Sequence, residues 1–154
     1  MRVVLDTNIL VRANPNTSPQ GLASELLLAV LSGPHVLIVS SAILSEIERV
    51  LNYPRVQARW PLTAEAIAAY QSFLQDIGAV VDLPAAFPAI VSDPDDDLVL
   101  QTAIAGRADV LCTRDEHFRD GAVERFCAAN GIRIIDDIAL MQELRGGGLG
   151  FLSA

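Results

Sequence analysis

The stretch Arg2-Val3-Val4-Leu5-Asp6 decides the fold, because a short, continuous apolar run ends there in a carboxylate. Such a run is typical of a strand that is buried on both faces, as in a parallel sheet. Outward from it, strand and helix signals alternate along the chain, which predicts an α/β domain with a parallel sheet. Asp6 is then expected at the carboxyl end of the first strand.

The remaining elements follow from apolar runs, helical spacing and stop signals such as Ser32-Gly33-Pro34 and Gly131. Four further strands are predicted over residues 35–39, 79–83, 109–113 and 132–135. Helices are predicted over residues 21–31, 40–52, 63–77, 95–106, 121–130 and 136–144, with a long loop over residues 84–94. A serine, Ser40 or Ser41, is expected to cap the second helix.

The length of 154 residues suits one compact domain, predicted over residues 1–145. Gly146-Gly147-Gly148 is predicted to begin a flexible glycine-rich tail over residues 146–154. No apolar run approaches the roughly 18 residues that span a membrane, and residues near the N-terminus lack the order of a signal peptide. A cytoplasmic protein without membrane contact is therefore expected.

The charge and the residue types restrict the chemistry. Nineteen acidic against 11 basic residues give a net charge of −8, which argues against a broad electropositive surface for nucleic acid. Acidic residues gathered at a metal centre, or a cationic partner, would account for the excess. The basic residues are all arginine, so mechanisms that require lysine are excluded. Cys112 and Cys127 are predicted to be reduced and buried.

Three carboxylates distant in sequence are predicted to meet at one edge of the sheet. Asp6 ends the first strand, Asp115 follows the fourth, and Asp97 lies in the first turn of the helix after the long loop. Ligands of open α/β sheets bind at the carboxyl ends of the strands. Crowded carboxylates repel one another unless a cation neutralises them, and hard divalent cations prefer oxygen ligands. The pattern therefore predicts metal-assisted phosphodiester hydrolysis.

A fourth acid comes from the helix over residues 40–52, where Glu46 and Glu48 fall at opposite rims of the apolar arc. The helical wheel does not choose between them. Neutral side chains could orient a ligand or water by hydrogen bonds; these are Thr7, Asn8 and Thr113.

Ordinary structural roles compete with each of these assignments. Aspartates 95–97 could cap a helix, and Asp6 or Asp115 could form a turn. Glu46 could be an ordinary solvated residue of its helix. Arg114 and Arg119 are predicted to be ion-pair partners. His35 and His117 lack the spacing of metal ligands and are predicted to be structural or exposed.

Four segments together resemble the PIN-domain family. They are Val4-Leu5-Asp6-Thr7-Asn8-Ile9-Leu10, the segment from Ser41 to Leu51 that contains Glu46, Asp93-Pro94-Asp95-Asp96-Asp97, and Asp109-Val110-Leu111-Cys112-Thr113-Arg114-Asp115. Their order and separations resemble most the VapC-like toxin ribonucleases of bacterial toxin–antitoxin pairs, over roughly residues 1–137.

The resemblance implies a three-layer α/β/α sandwich with a five-stranded parallel sheet of order 3-2-1-4-5. It implies an Mg²⁺- or Mn²⁺-dependent endoribonuclease that forms a homodimer and is inhibited by an antitoxin. By motif position, Asp6, Glu46 and Asp97 are the principal metal ligands, Asp115 is a supporting ligand, and Thr113 is a polar helper. Asp97 is chosen for its distance to Asp115, while a contribution from Asp93, Asp95 or Asp96 stays open. Leu98 departs from the lysine or other polar residue of many relatives.

Two other functions share features with this sequence. A haloacid-dehalogenase-type phosphatase also begins with an aspartate after a buried strand, but this chain has Asn8 where a second aspartate is usual. That phosphatase and a phosphoacceptor receiver domain both need a lysine, which this chain lacks. The second alternative is a non-catalytic PIN-like scaffold that binds RNA or protein. The presence of all four acids favours an enzyme over that scaffold.

Overall fold

A central sheet of five parallel strands organises the chain in the computed structural model, which describes residues 1–17, 21–84, 91 and 93–153, with side chains as far as residue 146. The strand order is β3-β2-β1-β4-β5, as predicted. The strands are β1 (Arg2–Leu5), β2 (Val36–Ser40), β3 (Ala79–Val81), β4 (Val110–Cys112) and β5 (Arg133–Ile135).

The strand β1 lies at the centre of the sheet and has a parallel neighbour on each side. Val3 pairs with Leu37 of β2 and with Val110 of β4. The side chains of Val3, Val4 and Leu5 are fully buried. The apolar run that opens the sequence therefore forms the middle of the core. Asp6 directly follows it and lies buried at the carboxyl edge of the sheet.

Helices flank the sheet in the three-layer arrangement that was predicted. They are α1 (Thr7–Ala13), α2 (Leu22–Ser32), α3 (Ser41–Leu51), α4 (Pro54–Arg59), α5 (Ala64–Ile77), α6 (Pro94–Ala105), α7 (Gly121–Ala129) and α8 (Asp137–Ser153), with a 3-10 helix at Glu116–Arg119. Helices α1 and α4 and the 3-10 helix were not predicted. They are 7, 6 and 4 residues long, too short to show a helical hydrophobic period.

Side-chain caps place the helices that matter for the site. The Ser40 hydroxyl accepts a 3.2 Å hydrogen bond from the Ile43 N–H, which confirms a serine cap on α3. It also lies 2.8 Å from the Thr102 hydroxyl of α6. Both groups are buried. This contact holds α3 and α6 together beneath the carboxyl edge of the sheet.

Helix α6 is buried on nearly every side along its middle, from Val99 to Ala103. It packs against β1, β2 and β4, and at its C-terminal end Gly106 approaches β2 closely. A Cβ at Gly106 would lie 2.5 Å from the side chain of Ile38, so a larger residue would push the helix away. The close packing brings the N-terminus of α6 beside the ends of β1 and β4.

The last helix is longer than predicted. Asp136 accepts a hydrogen bond from the Ala139 N–H, as expected of a cap, but α8 continues to Ser153 rather than ending near residue 144. Glycine weakens a helix by about 1 kcal/mol relative to alanine but does not forbid it. The backbone therefore stays helical through Gly146-Gly147-Gly148, where a flexible tail was predicted. The domain boundary at residue 145 remains a prediction.

Both cysteines are buried and free, as predicted. Burial raises the pKa of the Cys112 thiol to about 12, so it stays protonated and acts as a small apolar side chain. In the described part of the chain, no helix has both the length and the apolar character needed to cross a membrane.

Candidate metal centre

Asp6 lies at the point where β1 ends and α1 begins. Its backbone N–H donates to the Cys112 carbonyl of β4 at 2.9 Å, which extends the sheet ladder by one residue. Only 5% of the residue is exposed. Burial raises the pKa of the Asp6 carboxyl, and the nearby charge of Asp115 adds to the rise. The Thr113 hydroxyl and the N–H groups of Thr7 and Asn8 partly offset it. Asp6 is thus a buried carboxylate whose ionised form is only partly stabilised by its hydrogen bonds.

Thr113 connects Asp6 to the segment that follows β4. Its fully buried hydroxyl donates a 2.7 Å hydrogen bond to Oδ2 of Asp6 and accepts one of 3.0 Å from the Asp115 N–H. The Thr113 hydroxyl therefore orients two carboxylate residues at once, Asp6 and Asp115. Asp115 in turn caps the 3-10 helix by accepting the His117 N–H at 2.9 Å. Its side chain is 28% exposed.

The N-terminus of α6 contributes the next carboxylate. Asp93 caps the helix by accepting from the N–H groups of Asp95 and Asp96. The Asp96 side chain is only 14% exposed, and its Oδ2 lies 3.1 Å from His117 Nδ1. Burial is the main cause that raises the pKa of Asp96 to about 6; the hydrogen bond with His117 lowers this pKa, and the charges of Asp115, Asp93 and Asp6 raise it. Asp96 therefore shares one electrostatic environment with Asp6 and Asp115.

Asp97, the residue preferred from the sequence, has a different set of partners. Its Oδ1 accepts from the Val91 N–H at 3.1 Å, and its Oδ2 accepts from the Gln101 side-chain amide at 2.6 Å. These bonds connect the loop before α6 to the next turn of the helix. The structure thus brings Asp96, rather than Asp97, to Asp115 and His117. We refer to Asp6, Asp96 and Asp115 as the carboxylate cluster.

The structure separates the two glutamates that the helical wheel left equal. Glu46 accepts from Arg49 at 2.6–2.9 Å, and the same guanidinium reaches Asp95 at 2.7 Å. Its side chain is 13% exposed. Glu48 is exposed and lies beside Gln71 of α5. Glu46 is therefore linked through Arg49 to Asp95 at the N-terminus of α6, and Glu48 lies beside α5.

The other polar candidates from the sequence differ in their surroundings. Thr7 is buried and Asn8 is exposed at the start of α1, next to Asp6. Arg114 forms an ion pair with Asp137 at 2.7 Å, as predicted. Arg119 lines a cleft of about 690 Å³ beside the cluster, together with Val91, Glu116, His117, Asp120, Ala122 and Val123.

Sequence reasoning assigned no site role to His117. Its Nδ1 lies 3.1 Å from Asp96 Oδ2 and 3.2 Å from Asp115 Oδ1. The hydrogen bond to Asp96 and the charge of Asp115 raise the pKa of His117. No sequence spacing could have found this contact, because Asp96 lies 21 positions away on another element.

The donor set of the cluster fits a divalent cation. Carboxylate oxygens of Asp96 and Asp115 and a nitrogen of His117 all lie within 4.8 Å of one another. Burial, and after it the charges of neighbouring carboxylates, raise the pKa of Asp6 and of Asp96, so this environment disfavours their ionised forms. A divalent cation with oxygen ligands would stabilise those forms.

A family model described as a PIN domain matches residues 2–117. The chain belongs to the PIN-domain family. The matched residues run from β1 to the 3-10 helix and contain the whole carboxylate cluster. PIN domains are in general nucleases, and PIN-domain nucleases use divalent metals, with which an acidic cluster of this kind is compatible.

One solved structure with the PIN-domain fold of this chain is described as VapBC2 from Rickettsia felis bound to a DNA fragment from their promoter. The superposition has a TM-score of 0.54 and 16% sequence identity, and it covers 87% of this chain and 98% of the other. At that identity the similarity establishes the fold. A search of curated proteins gives no significant match.

Proposed function

We propose that this PIN domain is a metal-dependent endoribonuclease and the toxin of a toxin–antitoxin pair. One observation carries the nuclease proposal: three carboxylate residues from separate segments of a PIN domain lie together at the carboxyl edge of the sheet, where Thr113 connects Asp6 to Asp115 and His117 connects Asp115 to Asp96. The family membership removes the phosphatase and receiver-domain alternatives. A non-catalytic scaffold has no need for three carboxylates whose mutual repulsion opposes folding.

Each carboxylate has a proposed task. Asp6, Asp96 and Asp115 would hold Mg²⁺ or Mn²⁺, with Glu46 contributing from α3. A bound cation supplies charge neutralisation for the phosphodiester and lowers the pKa of a water. Thr113 keeps Asp6 in one orientation through its 2.7 Å hydrogen bond, and Asp93 caps α6 so that Asp96 faces the cluster. Asp97, the position favoured by motif spacing, is proposed to act through the shape of the loop before α6.

Substrate and partner follow from resemblance and charge. The similar VapBC2 structure contains a toxin–antitoxin complex, which supports an antitoxin for this chain. A cationic antitoxin segment would complement the net charge of −8. RNA as the substrate, a homodimer as the assembly and the cytoplasm as the location complete the proposal.

The first experiment is cleavage of a mixed pool of single-stranded RNA with Mg²⁺, with Mn²⁺ and with EDTA. Wild type is compared with Asp6→Asn and with Asp76→Asn, which removes one charge from an exposed position on α5. We expect metal-dependent internal cuts by wild type and Asp76→Asn, and none by Asp6→Asn. RNA binding without cleavage, equal in all three proteins, would instead establish the scaffold.

The toxin role is tested separately in bacteria. Induced expression of wild type is expected to arrest growth, and expression of Asp6→Asn at the same level is not. Growth that is unaffected by a wild-type protein active in the cleavage assay would contradict the toxin role and leave the nuclease intact. Light scattering of the purified chain reports whether it is a dimer.

A further inference from the structure

His117 stands at the solvent side of the carboxylate cluster. Its side chain is 64% exposed, whereas those of Asp96 and Asp115 are 14% and 28% exposed. The 3-10 helix at Glu116–Arg119 begins with the Asp115 cap and carries His117. The ring therefore meets the carboxylates at their open face, where a cation and its water would enter.

One atom of the ring faces two carboxylates from different elements. Nδ1 lies 3.1 Å from Oδ2 of Asp96 on α6 and 3.2 Å from Oδ1 of Asp115 after β4. All three donor atoms are within 4.8 Å of one another, a spread that a single ion could bridge. The other histidine, His35, has its Nδ1 2.9 Å from the N-terminal amine of Met1 and lies in a different cleft, beside α2 and α8.

We infer that His117 is a nitrogen ligand of this metal centre and that it makes the centre prefer Mn²⁺ over Mg²⁺, an inference that rests on the proposed metal-dependent function. Magnesium is held by oxygen and keeps several waters, whereas an imidazole nitrogen adds more affinity for a transition metal. A site of carboxylates alone has no such donor. The side chain at position 117 thus determines which cation the nuclease selects.

The test uses the full chain and the two cations themselves. Calorimetry measures Mn²⁺ and Mg²⁺ affinity for wild type, His117→Asn and the matched control His35→Asn, after circular dichroism shows that each is folded. Asparagine keeps an oxygen donor at position 117 and removes the nitrogen. We expect His117→Asn to lose about 10- to 100-fold in Mn²⁺ affinity, the range typical of a lost partner at a metal site, and to lose much less for Mg²⁺. His35→Asn should match wild type.

Pulsed electron paramagnetic resonance of bound Mn²⁺ gives an independent readout. A nitrogen coupling is expected in wild type and in His35→Asn, and it should vanish in His117→Asn. Two results would overturn the His117 assignment: Mn²⁺ bound to wild type without nitrogen coupling, or a loss of affinity in His117→Asn that is equal for Mn²⁺ and Mg²⁺. If wild type still cleaves RNA in the presence of metal, the proposed function is unaffected by either result. Binding of neither cation by wild type would overturn the metal-dependent function as well.

Discussion

The hydroxyl of Thr113 donates a 2.7 Å hydrogen bond to Oδ2 of Asp6, a residue 107 positions earlier in the chain. Thr113 lies one residue beyond β4 and Asp6 one residue beyond β1, so the parallel pairing of Leu5 with Cys112 brings the two side chains together. The contact is fully buried. The orientation of the principal carboxylate therefore depends on the register of two strands.

The first prediction concerns that hydroxyl. Thr113→Val keeps the shape of the side chain but leaves Asp6 and the Asp115 N–H without their shared partner. We expect Mg²⁺ affinity to fall by about 10- to 100-fold. The free energy of unfolding should fall by about 1–3 kcal/mol. Calorimetry and urea titration measure the two effects. Thr113→Ser retains the hydroxyl and should recover most of both, so a serine variant as weak as the valine variant would contradict the role of the hydrogen bond.

The second prediction concerns stability of the metal-free protein. The pKa of Asp6 is raised above its ordinary value of 3.8, chiefly by burial, so the ionised carboxylate opposes folding. The contribution of this group to stability is therefore full below pH 3.8 and is lost as the pH rises through the raised pKa. Asp96, whose pKa is raised to about 6 by burial and neighbouring carboxylates, acts in the same direction between pH 3.8 and about 6.

Asp6→Asn removes this penalty. In EDTA at pH 7 to 8 its melting temperature should exceed that of wild type, and the difference should shrink as the pH falls through the raised pKa of Asp6 toward the ordinary value of 3.8. Added Mg²⁺ should raise the melting temperature of wild type far more than that of the variant. Thermal unfolding across pH checks this. A variant less stable than wild type in EDTA at pH 8 would show that the hydrogen bonds to the ionised form outweigh its burial.

The third prediction separates Asp96 from Asp97. Asp96→Asn should reduce Mg²⁺ affinity and RNA cleavage by about 100-fold or more, because it removes a charged ligand from the cluster. Asp97→Asn should leave both close to wild type. The new amide can still accept from the Val91 N–H. It can also donate to Oε1 of Gln101, an atom buried without a hydrogen-bond partner among the described residues, once the Gln101 amide has flipped.

Asp97→Ala provides the control for structure. It loses both hydrogen bonds of the carboxylate and should lower the free energy of unfolding by about 1–3 kcal/mol. Calorimetry, the cleavage assay and urea titration on the three variants distinguish the residues. Loss of metal binding in Asp97→Asn, with Asp96→Asn unaffected, would restore the assignment made from motif spacing.

The fourth prediction concerns the two glutamates of α3. If Glu46 is a metal ligand as proposed, Glu46→Gln should reduce cleavage by about 10-fold or more, and Glu48→Gln should not. Because Glu46 also pairs with Arg49, the variant weakens the hold on that guanidinium, which keeps its contact with Asp95. Arg49→Gln tests this second effect: if it reduces cleavage as much as Glu46→Gln does, Glu46 acts by holding Arg49 and α6 rather than as a ligand. Initial rates at saturating Mg²⁺ measure all three.

Local sequence was sufficient for the strands, for the longer helices and for two of the carboxylates. The run from Val3 to Leu5 is apolar without alternation, which requires burial on both faces and so a central parallel strand. A carboxylate directly after such a strand must lie at the edge of the sheet. The same reasoning placed Asp115 after β4 and a serine cap at the start of α3. The strand order came from the family resemblance, and the pairing of the strands confirms it.

The tertiary structure alone decided which neighbouring side chains face the cluster. Successive residues of a helix point about 100° apart, so Asp96 and Asp97, or Glu46 and Glu48, differ in direction while their local sequence is nearly the same. Helix α6 is apolar on nearly all sides, so its hydrophobic pattern carries no rotational phase; the packing of Gly106 against Ile38 and of Thr102 against Ser40 sets it instead. The contact of His117 with Asp96 likewise depends on packing between separate elements. The sequence determines which residues lie at the ends of its strands and helices, and only packing between elements determines which of their side chains meet.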